Sequence, residues 1–414
     1  MTDLRQNGGP LADHCGQLAG HGGPLPGADL CDDSSLRALD AHCEELAREY
    51  REVGVQLDQH PDAIAGLMDL AGVQFLQQSH LPPRYRSQPL DVNPALVDLA
   101  SAAPGLVIMF ERFAYGDPAV ALASPGAAQS GGVIEAIASP EQYDRFFSRL
   151  ASTPAHTFLA LTEPEKGSAI TELTTSLTPA SDGDGWILHG EKRYIGNGTR
   201  AWTGIVFCRR ARGPWGIEAV LVDTNSPGFS AEPLPMMGLR GARISRLRFD
   251  DVHIPPENLL GTHLPPSRRG LHGATAMLYR SRPGVGAMAV GCAQASCDYV
   301  RLHRPALRRA GQLRLEHMLD RVAAARRLVH RAAADYHRGL VNTHRIGAAK
   351  AQAAHTAEDA TLLAAELLGP AALVEHPWLE KTYRDVRAFE FMEGTTNLHR
   401  LSTFQGLQKA TLQT

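Results

Sequence analysis

Gly190-Glu191-Lys192-Arg193-Tyr194-Ile195-Gly196-Asn197-Gly198 is the stretch on which the fold turns. It follows the apolar run Trp186-Ile187-Leu188-His189 and precedes Gly204-Ile205-Val206-Phe207-Cys208. Strand-like runs of this kind, separated by turn residues, recur at Ile217 to Val222 and Ile244 to Phe249. Asp182-Gly183-Asp184-Gly185 reads as a turn. Residues 156–262 are therefore expected to form a β domain.

Outward from that segment the periodicity changes. Leu36, Leu39, Cys43, Leu46, Tyr50 and Val53 step by three and four, one face of an amphipathic helix capped by Asp33 or Ser34. Gly54 is expected to end it. Helical segments continue to about 155, including one around Val97 to Ala100 and one after Ser139-Pro140. Beyond Pro265-Pro266 the helical period returns. Met318, Val322, Ala325, Val329, Ala332 and Tyr336 mark one long helix, and residues 347–368 another, stopped by Gly369-Pro370. The expected organisation is a flexible Gly/Pro-rich tail (1–33), an N-terminal helical domain (34–155), the central β domain (156–262) and a C-terminal helical bundle (263–414).

Composition narrows the function. A chain of 414 residues with 43% hydrophobic content can bury a sizeable core. A formal charge of −3 argues against nucleic acid or an anionic membrane as the main partner. The six cysteines form no CxxC pair and suggest reduced thiols in a cytoplasmic protein. No apolar run reaches the ~18–20 residues of a membrane helix, and no signal peptide is expected. Only five lysines occur, at 166, 192, 350, 381 and 409. There is no GxGxxG after a strand, no GxxxxGK[ST], no HExxH and no GxSxG, so a Rossmann site, a P-loop, a metal site and a nucleophile elbow are not expected.

Three segments carry candidate chemistry. They are Thr162-Glu163-Pro164-Glu165-Lys166-Gly167-Ser168, the Gly190–Gly198 stretch, and Tyr383-Arg384-Asp385 followed by Glu393-Gly394-Thr395-Thr396-Asn397. Taken singly, they read as a capped turn, a hairpin and a helix end. In this order, across a helix–strand–helix layout, they resemble the acyl-CoA dehydrogenases over roughly residues 40–405. Gly238-Leu239-Arg240-Gly241, Phe249 to Pro255, Asn258 to Gly261 and Ser281-Arg282-Pro283 agree with that resemblance.

The resemblance implies an α+β fold: an N-terminal helical domain, a central β-barrel-like domain and a C-terminal four-helix bundle. It implies FAD-dependent α,β-dehydrogenation of an acyl thioester carried on coenzyme A or a carrier protein. Thr162 and Ser168 would bond the flavin edge and the pyrophosphate. Tyr194 and Gly196 would stand beside the ring, and Thr395 would contact the flavin or its ribityl-phosphate arm. Glu393 would be the base that takes the α-proton, a role that needs a dry site and a raised pKa. Ser281, where some members keep the base, cannot serve. Gly394 and Arg282 would line the substrate side, Arg282 and Arg384 mainly as structural partners of acids or helix ends.

Some positions depart from the family pattern. Ala169 replaces an Asp. Arg308 (or its neighbour Arg309) and Glu366 stand where the family reaches the FAD of a neighbouring subunit, Glu366 in place of a neutral amide. These changes imply that the adenosine half is held differently, weakly or not at all. Tyr279 replaces an Asp beside the pantetheine arm, which leaves room for a carrier protein of specialised metabolism. The expected partners are an electron-transfer flavoprotein and other copies of the chain, in a homodimer or homotetramer. The rival readings are a flavin monooxygenase or oxidase on the same fold, and an FAD-free isomerase, lyase or cyclase using Glu393.

Overall fold

The structure is a computed structural model and describes residues 33–86, 93–165, 167 and 169–411. Apart from Asp33, the expected tail lies outside the described residues.

The chain opens with helices α1 (Asp33–Leu46), α2 (Tyr50–Gln59), α3 (Ala71–Ser79), α4 (Pro94–Ser101), α5 (Ala103–Gly116), α6 (Pro118–Ala123), α7 (Ala128–Ile137) and α8 (Pro140–Ser152). The start of α8 follows from local chemistry. Ser139 and Gln142 cap each other reciprocally, Pro140 occupies the first turn, and Phe146, Phe147 and Leu150 form the buried face. Gly54 does not end a helix, as expected, but sits inside α2. A Cβ there would meet an Asp117 carboxylate oxygen at 2.1 Å, so the position needs glycine for close approach. Asp117 in turn caps α6 through the amides of Ala119 and Val120.

Seven strands follow: β1 (His156–Ala160), β2 (Ser176–Pro179), β3 (Trp186–Ile195), β4 (Ala201–Arg209), β5 (Ile217–Asp223), β6 (Phe229–Pro233) and β7 (Ser245–Ile254). Their order is β1-β4-β2-β3-β7-β6, with β5 also paired to β4. The Gly190–Gly198 stretch is thus not a hairpin, because β3 pairs with β2 and β7 rather than with β4.

The β-barrel-like expectation is wrong: the mixed sheet is open. Closure would require β6 to pair with β1 or β5, and β6 pairs with β7 alone. The two ends meet through side chains instead. Phe158 of β1 stacks on Phe229 of β6, with ring centroids 6.0 Å apart and planes inclined by 7°. Ring stacking over a shared core fills the gap that a closing ladder would occupy.

The C-terminal region holds α9 (Gly270–His303), α10 (Arg309–His337), α11 (Thr343–Leu368), α12 (Ala372–Glu375), α13 (Pro377–Asp385) and α14 (Thr396–Thr411). The bundle core is built from Val290, Val322, Val329, Ala353 and Ala357, all fully buried. Helix α5 serves two cores. Ile108, Met109 and Phe113 face the N-terminal helices, whereas Val107 and Ala114 face the bundle. Burying a side chain such as Phe113 contributes about 1.5–3 kcal/mol. Arg326 and His330 of α10 bind the buried Glu111 of α5 at 2.6 and 3.2 Å.

One charge cluster joins all three regions. Lys381 of α13 donates to Asp117 at the start of α6 and to Asp385, both at 2.5 Å. The other oxygen of Asp385 accepts from the Leu239 amide, beyond β6, at 2.6 Å. All three charged side chains are buried. No single helix among the described residues is long and apolar enough to cross a membrane. Cys43, Cys208, Cys292 and Cys297 are free and buried.

Candidate active site

The short helix Val386–Glu390 ends in a turn that carries Glu393 with φ +55° and Gly394 with φ +102°. The left-handed region costs a non-glycine residue about 1–2 kcal/mol, so surrounding contacts must enforce it. They are present. Arg282 of α9 donates from Nε to the Glu393 carbonyl at 2.9 Å. Lys350 of α11 donates from Nζ to the carbonyls of Glu390 at 2.9 Å and Gly394 at 2.7 Å. Glu390 in turn accepts from the amide of Thr396 at 2.8 Å, and Thr395 accepts from the amide of Leu398 at 3.4 Å. The turn is thereby bonded to the first residues of α14.

Glu393 as a residue is half-buried, but its carboxyl end lies deep in the molecule. Burial raises its pKa above the usual carboxylate value, against the opposing pull of Arg282, Ser281, Lys350 and Gln129. The side-chain amide of Gln129, on α7, donates directly to the Glu393 carboxylate. Tyr279 lies one turn before Arg282, whose guanidinium sits 5.4 Å from the tyrosine ring centre. Burial lowers the pKa of Arg282, and Glu393 and Tyr279 raise it.

The second part of the site is the bend after β3. Its register with β7 shifts between Lys192 and Ile195, and Tyr194 takes φ +62° with 53% of its surface exposed. A bulge that turns an aromatic side chain outward is a common way to aim it at a ligand. The loop from Thr162 is anchored beside it. The Arg193 amide donates to the Thr162 carbonyl at 2.9 Å. Below, Lys192 donates to Glu163 at 2.9 Å and to the Leu161 carbonyl at 3.1 Å, wholly inside the protein. Burial pushes the Glu163 carboxyl up, but Lys192 with Thr174 and Thr175 holds it down at about 2.

A small cluster brings the two parts together. Ala119, Leu239 and Ala242 pack with Leu122, Ile244, Ala388 and Met392. Asn197 donates to the Leu122 carbonyl at 2.9 Å, and a Cβ on Gly196 would lie 3.9 Å from Ile244. The Gly196 turn and the Glu393 turn therefore share one support.

Not every expected residue joins them. Ser168 and Lys166 lie outside the described residues. Arg308 is exposed at the start of α10. Glu366 lies about 24 Å further along α11 than Lys350, at 1.5 Å per residue. Its charge is offset by Arg314, not by Arg308. Arg384 pairs with Asp58 at 2.7 Å and with Glu380 at 2.5 Å, and donates to the Met237 carbonyl at 2.8 Å. Lys350 and Gln129 were missed by sequence reasoning. Lysine scarcity was the one available signal for Lys350, a lone charge in Gly347-Ala348-Ala349-Lys350-Ala351.

The donor set suits a flat heterocycle that offers both donors and acceptors. Among the described residues, the buried Arg193 Nε and Asn197 Oδ1 have no hydrogen-bond partner, and they flank Tyr194 and Gly196. Buried polar atoms left unpaired cost free energy unless a ligand or water meets them.

A helical–sheet–helical frame thus holds a desolvated carboxylate flanked by Arg282 and Lys350. The comparisons make this specific. Two family models match, "Acyl-CoA dehydrogenase, middle domain" at residues 159–252 and "Acyl-CoA dehydrogenase, C-terminal domain" at residues 268–407. An acyl-CoA dehydrogenase of Bacillus subtilis is 33% identical over 273 residues, covering 63% of this chain and 70% of that protein. Two solved structures share the fold. Butyryl-CoA dehydrogenase of Megasphaera elsdenii has a TM-score of 0.76 at 24% identity, covering 89% of this chain and 98% of its own. Glutaryl-CoA dehydrogenase of Mycobacterium smegmatis in complex with FADH2 has a TM-score of 0.77 at 22% identity, covering 92% and 96%.

The chain belongs to the acyl-CoA dehydrogenase family and is an acyl-CoA dehydrogenase-like oxidoreductase.

Proposed function

We propose that this protein is a flavoprotein that dehydrogenates an acyl thioester at the α,β-bond, with Glu393 as the base. The carrying observation is the Glu393 carboxyl, desolvated and raised in pKa on a turn held by Arg282 and Lys350. An α-C–H next to a thioester is a weak acid, and a desolvated carboxylate is a stronger base toward it than one in water.

Thr162, Tyr194 and Gly196, with the orphaned Arg193 Nε and Asn197 Oδ1, would hold the flavin ring of FAD. Ser168 would meet the pyrophosphate and Thr395 the ribityl arm. Arg308 and Glu366 would face the FAD of a neighbouring subunit in a homodimer or homotetramer. When bound, FAD supplies the two-electron acceptor for the β-hydrogen. The chain's own residues do the rest. Gln129 donates to one oxygen of Glu393 and leaves the other free to face an α-carbon. Glu393 then takes the α-proton. Tyr279, Arg282 and Gly394 line the thioester side. The acyl carrier is coenzyme A or a carrier protein, and an electron-transfer flavoprotein is the proposed oxidant of the reduced enzyme.

Purified protein is expected to absorb near ~450 nm, the flavin band, and a colourless protein that FAD does not reconstitute rejects the cofactor. Turnover of a panel of straight-chain acyl-CoAs should fall ~10²- to 10⁴-fold in Glu393→Gln. Unchanged turnover rejects Glu393 as the base.

A further inference from the structure

We propose that Lys350 is a positioning residue for the base, holding the Glu393 turn in its reactive conformation and keeping the carboxylate ionised. This rests on the dehydrogenase reading above. Three carbonyls of one turn, those of Glu390, Glu393 and Gly394, point at two cations, Lys350 and Arg282. Lys350 bonds the two carbonyls that bracket Glu393. Rotating either peptide away would strand an ammonium inside the protein, so the strained backbone of Glu393 and Gly394 cannot relax while Lys350 is charged.

A lysine with no exposed surface and two carbonyl partners is an expensive way to fill space. A methionine of similar shape would pack there without the desolvation cost. What methionine lacks is charge. The charged and titratable groups around Lys350 are Arg282 on α9, Glu390 and Glu393 on the turn, and His399 on α14, with Tyr279 against Arg282 and His355 near Glu390 beyond them. The carboxylates of Glu390 and Glu393 favour the ammonium, whereas burial and Arg282 disfavour it, and the balance lowers its pKa to about 8. Glu393 is shifted the other way, its acid form favoured by burial. The base is active above its raised pKa, and Lys350 lends its positive charge to the turn and the carboxylate only below about pH 8. A bell-shaped profile follows, with Glu393 on the acid limb and Lys350 on the alkaline limb.

The test compares wild type, Lys350→Met and Lys350→Arg over pH 5.5 to 10. It uses butyryl-, hexanoyl- and octanoyl-CoA for turnover and a 3-thia-acyl-CoA for α-proton exchange into D2O, which reports on the base without oxidation. Lys350→Met should lose roughly 10- to 100-fold in kcat at neutral pH, the range a displaced catalytic group typically costs, with KM little changed. Its exchange rate should fall in parallel, its acid limb should move to higher pH, and its alkaline limb should vanish. Lys350→Arg keeps the charge and should extend activity above pH 8, whether or not the methionine variant folds. A folded Lys350→Met with wild-type kcat and acid limb overturns the proposal. So does an alkaline limb unmoved in Lys350→Arg, or an effect confined to KM. Absence of both turnover and exchange in wild type instead overturns the dehydrogenase reading and this role with it.

Discussion

Lys381→Met should convert a stabilising charge cluster into a pH-dependent defect. In the native protein the ammonium bridges Asp117 and Asp385 at 2.5 Å each, so the two bonded oxygens are at most 5.0 Å apart. Without the lysine, two buried carboxylates face each other. At that separation and an effective dielectric of about 20, their repulsion is about 3 kcal/mol. Breaking a buried ion pair from one side typically costs ~3–5 kcal/mol, and the repulsion accounts for much of that. The sign with pH follows from Asp117, whose pKa burial already raises despite Lys381. Removing Lys381 raises it further, so the folded variant holds a proton that the unfolded chain releases. The variant is closest to wild type below the unfolded carboxylate pKa of about 4 and loses stability as pH rises through the raised folded value. Urea unfolding of wild type and variant at pH 5 and pH 8 measures this. The expected gap is roughly 3–5 kcal/mol at pH 8 and markedly smaller at pH 5. A gap that is the same at both pH values, or no gap at pH 8, refutes the reasoning.

Two further outcomes test the site and the fold. Gln129→Leu removes a donor that helps keep Glu393 ionised, so the acid limb of kcat/KM should move to higher pH; an unmoved limb would show that the contact is not made in solution. Ser139→Ala removes the capping box of α8 and should cost about 0.5–2 kcal/mol in urea unfolding, with turnover unaffected because α8 supplies none of the hydrogen bonds around Glu393.

The legible parts of this protein were those written in local chemistry. Ser139-Pro140 announced α8, and apolar runs between turn residues located β3, β4, β5 and β7, because caps and turns act within a few residues. Glu393 became a candidate base through three segments read jointly, and the structure brings its turn and the Gly196 turn to one support. The residues that tune it were illegible, because Gln129 meets it across 264 positions and Lys350 reaches its turn from another helix. Gly54 was misread for a related reason. Glycine stops helices, but it also admits a neighbour, and here that neighbour is a carboxylate from α6. Strand count did not decide closure of the sheet, since the stacking of Phe158 on Phe229 depends on how its two ends fold over the core.

The buried lysines have a practical consequence. Lys192, Lys350 and Lys381 are inside the protein, and Lys409 near the end of α14 is the exposed lysine among the described residues. Reagents that acylate amines will therefore reach the described part of the folded surface at one helix, and a lysine-directed cross-linking map of that part will be nearly blank. Mapping its contacts calls for carboxylate- or guanidine-directed chemistry instead.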